Sequence, residues 1–112
     1  FKDCLGIIQE LGIDAPEIIA SGGATASSQW LQIQADILEK PVQASQVKEQ
    51  ACLGSCLLAA VGTGLLSSLE EGCSRFISMD ERIYFPDERN MDVYRKGYEK
   101  YRKLYERLWD MM

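Results

Sequence analysis

The sequence predicts an α/β fold with few parallel strands and several helices. Three observations carry that expectation. Apolar residues recur at helical spacing in several segments. A short apolar run lies between two of these segments, bounded by Pro16 and by Gly22-Gly23. Helix, strand, Gly-Gly turn, helix, extended piece and helix then follow in order, and strands joined by a helix normally run parallel. The chain has 112 residues, which is room for one domain and not for two ordinary ones. Apolar residues at 46% and charged residues at 26% argue against disorder or a fibre.

Phe1, Cys4, Leu5, Ile8 and Leu11 share one helical face. The first helix should therefore end at Gly12, a suitable residue just past a helix C-terminus. The pattern starts inside that helix, so the chain is expected to be a fragment of a longer protein. Residues 17–21 read as a buried strand, with Ile18 and Ile19 side by side. A second helix is expected over 28–38, with Ser27 as its N-cap. Trp30, Ile33, Ile37 and Leu38 make its apolar face, with Trp30 in the core. Lys40-Pro41 turns the chain into an extended piece over 42–44.

A third helix over 47–61 is rich in small residues, among them Ala51, Gly54, Ser55, Ala59 and Ala60. Glu49 opens it, where a carboxylate suits the helix dipole. Residues 65–73 read as a short fourth helix, and 82–86 as irregular or briefly extended. The last helix, over 91–111, carries a stripe of Tyr94, Tyr98, Tyr101, Tyr105, Leu108 and Trp109. That stripe is expected to lie on the helix's own domain, with Arg95, Lys96, Lys100, Arg102 and Lys103 solvated. Two short strands are too few for a stable sheet. The remaining strands are expected upstream, outside this chain. An unpaired edge and an uncovered apolar face then predict self-association.

Charge and residue types narrow the chemistry. The chain carries 12 basic and 17 acidic side chains, a net charge of −5, which argues against a nucleic-acid partner. No apolar run reaches the roughly 20 residues of a spanning helix, so no membrane partner is expected. Histidine is absent, which excludes a His-based triad or a His-ligated metal within the chain. Cys4, Cys52, Cys56 and Cys73 lack the paired Cys-x-x-Cys knuckles of a zinc site. They read as reduced, buried core residues, which suits a cytoplasmic protein.

The feature that points to a ligand is the strand, Gly-Gly turn and helix N-terminus at Ser21-Gly22-Gly23-Ala24. Glycine lets the backbone approach a ligand closely and adopt positive φ. The helix start behind it offers N–H groups and partial positive charge to a phosphate. Taken as a bare pattern, the same residues also fit a plain tight turn.

The residues around that turn add a resemblance. Gly22-Gly23-Ala24, then Trp30, Gln32, Ile33, Ala35, Asp36 and Ile37, then Pro41-Val42, resemble the second-domain adenosine motif of the FGGY carbohydrate kinases. The run from Glu49 through Leu53, Gly54, Ala59 and Val61 to Gly64 resembles a later helix of the same family. Tyr94, Tyr98, Tyr101, Leu104 and Tyr105 resemble the final helix of its xylulokinase-like members. The resemblance implies an actin-like, ribonuclease H-like ATPase domain. It implies that residues 1–112 are the C-terminal segment of the second, ATP-binding domain, with the N-terminal domain absent.

The function so implied is transfer of the ATP γ-phosphoryl group to a sugar hydroxyl, with xylulose as the expected sugar and ATP and Mg2+ as cofactors. Gly22, Gly23 and Ala24 match the turn that approaches adenosine and the α-phosphate in the family. Ser27 stands where members often touch the adenine. No catalytic residue and no metal ligand is assigned to this chain, because the family's phosphate loop and base lie upstream; the chain alone is expected to be inactive. The sequence departs from the family at Ala26, which replaces a basic residue, and at Glu39, where glycine often ends the helix. The rival reading is a non-catalytic nucleotide-binding or assembly module on the same fold.

Overall fold

Glycine and capping residues set the frame. Gly12 takes φ +78° and closes α1 (Lys2–Glu10), as its position in the sequence predicts. Gly22 takes φ +83° and ends the link from β1 (Ile18–Ala20) to a 3-10 turn at Gly23–Ala26. Ser27 caps α2 (Ser28–Leu38), its side-chain oxygen accepting from the Trp30 N–H at 3.2 Å. The chain continues through β2 (Val42–Ser45), α3 (Gln50–Gly62), α4 (Leu69–Phe76), β3 (Met79–Tyr84) and α5 (Glu88–Trp109). The computed structural model describes residues 1–109. Residues 110–112 and the side chains of Tyr105 and Glu106 lie outside the described part, and with them the expected end of the last helix and one member of its tyrosine stripe.

The sheet has the order β1-β2-β3. β1 and β2 are parallel, with Ile18 opposite Val42 and Ala20 opposite Ala44. This is the expected pair joined by a helix. β3 was expected only as an irregular or brief extension over 82–86. It is a six-residue strand, antiparallel to β2, with Val42 opposite Tyr84 and an irregularity between Gln43 and Ser45. Its exposed Asp80, Glu81 and Arg82 hide it from a hydrophobicity reading, because an edge strand need bury little. The sheet is thus mixed, not purely parallel.

One face of the sheet is covered. Leu31 and Ala35 of α2 pack on Val42, Ala44 and Tyr84, with Ile18 and Ala20 at the margin. Strand alternation sends Ile19 to the other face, where it is 57% exposed instead of buried as expected. Trp30, expected in the core, is 47% exposed. The buried side of α2 runs through Leu31, Ala35 and Asp36, and Trp30 sits at its edge.

A second small cluster joins α3 to α4. Leu57 and Leu66 are buried there, and a Cβ on Gly72 would fall 2.7 Å from Leu57 Cδ2. The other sides of α3 stay open, so Cys52 and Cys56 are exposed, as are Cys4 and Cys73; none is the buried core residue expected. α4 starts later than expected because Ser68 caps it, accepting from the Glu71 N–H at 3.2 Å. Along α5, Tyr94 and Tyr98 are half-buried, whereas Tyr101, Leu108 and Trp109 are exposed. The stripe therefore lies on its own domain only in the first half of the helix. The radius of gyration is 17.9 Å, against about 13 Å for a closed domain of this length.

Candidate functional site

Parallel strands place their carboxyl ends on one edge of a sheet, where α/β proteins tend to bind ligands. Here that edge carries the Ser21–Ser27 link after β1 and the residues between β2 and α3. Gly22 has φ 83° and ψ −169°, a region open essentially to glycine alone. Its carbonyl accepts from the Thr25 N–H at 3.1 Å and the Thr25 hydroxyl at 2.8 Å. These bonds hold the 3-10 turn. Gly23, Ala24 and Ser27 are exposed beside it. A Cβ on Gly23 would meet nothing within 4 Å, so the space over this residue is open. The four sequence-derived site residues thus lie together on one exposed turn. Ser27 is engaged as the cap of α2, and its hydroxyl is also 3.5 Å from Gln29 Oε1.

A groove of about 630 Å³ runs from this turn between α1, β1 and α2. Ser21 and Ala24 stand at its turn end. Leu5 and Ile8 of α1 line it together with Trp30 and Leu38 of α2.

Two polar networks hold the elements that frame the turn. Asp36 is only 2% exposed. Its carboxylate accepts from Gln32 Nε2 at 2.8 Å, the Asp87 N–H at 2.8 Å and Asn90 Nδ2 at 3.0 Å. Gln32 also donates to the Phe85 carbonyl at 2.7 Å. Burial pushes the Asp36 carboxyl up, but these donors together hold it below the usual carboxylate range. In the sequence, Gln32 and Asp36 stand out only as matches to the family motif. They in fact fasten α2 to the start of α5.

The second network centres on Glu39, at the C-cap of α2 with φ 56° and ψ 34°. A glycine would adopt this conformation without strain; the glutamate holds it through its partners. Arg95 forks onto it at 2.8 and 3.1 Å, and Lys2 Nζ lies at 2.8 Å. These partners, Arg95 first, lower the Glu39 carboxyl from 4.5 to about 2. A carboxyl lowered on folding stabilises above its unfolded value and loses that contribution as pH falls through the folded one. Glu39 should therefore add stability above about pH 4.5 that fades between 4.5 and 2. Glu39→Gln should lower stability at pH 7 by about 1–2 kcal/mol, allowing for solvent screening at half-exposed Arg95. It should also flatten the acid limb of an unfolding-versus-pH curve. An unchanged acid limb would remove Glu39 from the stability account.

Among the described residues, no group of three or more histidine, cysteine, aspartate or glutamate side chains could hold a metal ion. No described helix is long and apolar enough to cross a membrane.

Comparison with known proteins bears on the same residues. The model of the FGGY family of carbohydrate kinases, C-terminal domain, matches residues 1–63, which include the turn, α2 and β2. The chain is 32% identical to a xylulose kinase of Staphylococcus epidermidis over 103 residues, covering 92% of the chain and 21% of that protein. It is 34% identical to an autoinducer-2 kinase of Salmonella paratyphi B over 95 residues, covering 85% of the chain and 18% of that protein. The crystal structure of xylulose kinase from Rhodospirillum rubrum superposes with a TM-score of 0.79 at 25% identity, covering 99% of this chain and 22% of that one. The chain thus spans about a fifth of the length of these relatives. The small mixed sheet with its helices is a piece of the actin-like ATPase fold that such sugar kinases share.

Proposed function

The chain belongs to the FGGY family of carbohydrate kinases, and on that premise we propose that it is the C-terminal segment of the second, ATP-binding domain of a sugar kinase. The intact enzyme transfers the γ-phosphoryl group of ATP to a sugar hydroxyl, with xylulose as the first candidate. The observation that carries this reading is the Gly22–Ser27 turn. It has a glycine-only backbone at Gly22, open space over Gly23 and a capped helix behind, all at the carboxyl end of β1. Gly22, Gly23 and Ala24 let the adenosine and α-phosphate approach the backbone, and Ser27 lies beside the base while capping α2.

Phosphoryl transfer asks mainly for positioning, charge stabilisation and a metal. This segment positions the nucleotide. The described residues offer no cluster fit for Mg2+, so no step through the metal is assigned to them. The cytoplasm is the proposed compartment, the one that suits the free thiols of Cys4, Cys52, Cys56 and Cys73.

The test is sugar-dependent ADP release. The intact protein should turn over ATP with xylulose in a panel that also holds gluconate, glycerol and ribulose. The purified 112-residue chain should show no such turnover. Turnover by the chain alone, or an intact protein inert to every sugar offered, would overturn the assignment.

Taken alone, the chain should also self-associate. Ile19, Ile83 and Leu58 are exposed large apolar side chains, and β1 and β3 are sheet edges. Such surfaces favour pairing with another copy. Sedimentation across the micromolar range should show mass rising with concentration. A stable monomer throughout would mean that these faces need no cover.

A further inference from the structure

The first helix is held in an unusual way. α1 has no buried residue. Its apolar side chains line the groove without closing it. Polar contacts at its N-terminal end bind it to the rest of the molecule. Lys2 Nζ lies 2.8 Å from Glu39 Oε1 and 5.3 Å from the centre of the Tyr98 ring. Asp3 Oδ1 accepts from the Tyr98 hydroxyl at 2.5 Å. Glu39 in turn is forked by Arg95. One carboxylate at the end of α2 therefore ties together α1, α2 and α5.

That tie determines what α1 can do. α1 is the outer wall of the groove that opens at Ser21 and Ala24, beside the Gly22–Gly23 turn. Within this chain, polar groups more than apolar burial fasten that wall, so its placement depends on them. A nucleotide seated at the turn meets whatever geometry the wall then has. Small displacements of a binding wall cost affinity because contact and hydrogen-bond geometry are short-ranged.

We propose that Glu39 is a positioning residue for the nucleotide: by holding Lys2 and Arg95 it fixes α1 as the wall of the groove that runs into the Gly22–Ala24 turn. The proposal rests on the nucleotide reading above. It adds a residue outside the turn, at the position where this chain departs from the glycine its resemblance leads one to expect.

The experiment uses the intact kinase. Glu39→Gln should raise KM for ATP by about 3- to 10-fold, the effect of losing roughly one charge-assisted contact. kcat should stay within about twofold and KM for the sugar should not change. Glu39→Asp keeps the carboxylate and should recover most of the ATP affinity. Tyr98→Phe removes only the hydroxyl held by Asp3 and should raise KM for ATP by about twofold; it serves if Glu39→Gln folds poorly.

Gly23→Val runs alongside as the control for the turn itself. If Gly23→Val raises KM for ATP while Glu39→Gln and Tyr98→Phe leave it unchanged, the positioning role is wrong and the nucleotide reading stands. An unchanged KM in Gly23→Val ends both. A fall in kcat equal to the rise in KM, with no recovery by Glu39→Asp, would show general destabilisation and likewise end the positioning role.

Discussion

Asp36→Ala should lower the unfolding free energy of the chain by about 2–4 kcal/mol. The carboxylate is 2% exposed and accepts from Gln32, the Asp87 N–H and Asn90. Hydrogen bonds to a charged acceptor are each stronger than neutral ones, and losing Asp36 leaves the Asp87 N–H without this partner. Asp36→Asn should recover only part of the loss, because its amide turns a donor toward Asn90 or Gln32. The Asp36 carboxyl is held below its ordinary value, so its contribution is present above the unfolded carboxylate range and is lost as pH falls through the lower folded value. Denaturant unfolding of the chain at pH 7 and at acid pH reads both effects. A loss under about 1 kcal/mol would mean that α2 holds the start of α5 without this network.

The second large effect separates two neighbouring glycines. Gly22→Ala should destabilise the chain by about 1–3 kcal/mol, because φ 83° and ψ −169° strain any residue with a Cβ. Gly23→Ala should leave stability within about 0.5 kcal/mol, since its Cβ meets nothing within 4 Å. Thermal unfolding of the pair shows which glycine serves the backbone and which leaves room. Equal losses at both would place the strain somewhere other than Gly22.

Much of the frame could be read from local chemistry. Gly12, Gly22 and Ser27 each do what a glycine or serine does at a helix boundary, and the bonds involved span only a few residues. The parallel pairing of β1 with β2 followed from the helix between them. What escaped reading depends on distant residues. Asp36 is buried because Asp87 and Asn90 meet it from more than 50 positions away. Glu39 takes a glycine conformation because Lys2 and Arg95 reach it from two other helices. β3 escaped because an edge strand with charged residues shows little apolar alternation. Trp30 reads as core from its helical face and the cysteines from their residue type, yet Leu31, Ala35, Val42, Ala44 and Tyr84 form the packed face. The turn was legible as a shape, while the nucleotide proposed for it rests on resemblance and not on spacing.

The most direct test of the central claim is the KM for ATP of the intact kinase carrying Gly23→Val. The backbone at Gly23 tolerates a side chain, so the fold should survive and any effect should come from the space over the turn. KM for ATP should rise by about 5- to 150-fold, equivalent to roughly 1–3 kcal/mol, with KM for the sugar unchanged. A correctly folded Gly23→Val enzyme with an unchanged KM for ATP would contradict the claim and take the Gly22–Ser27 turn out of the nucleotide site.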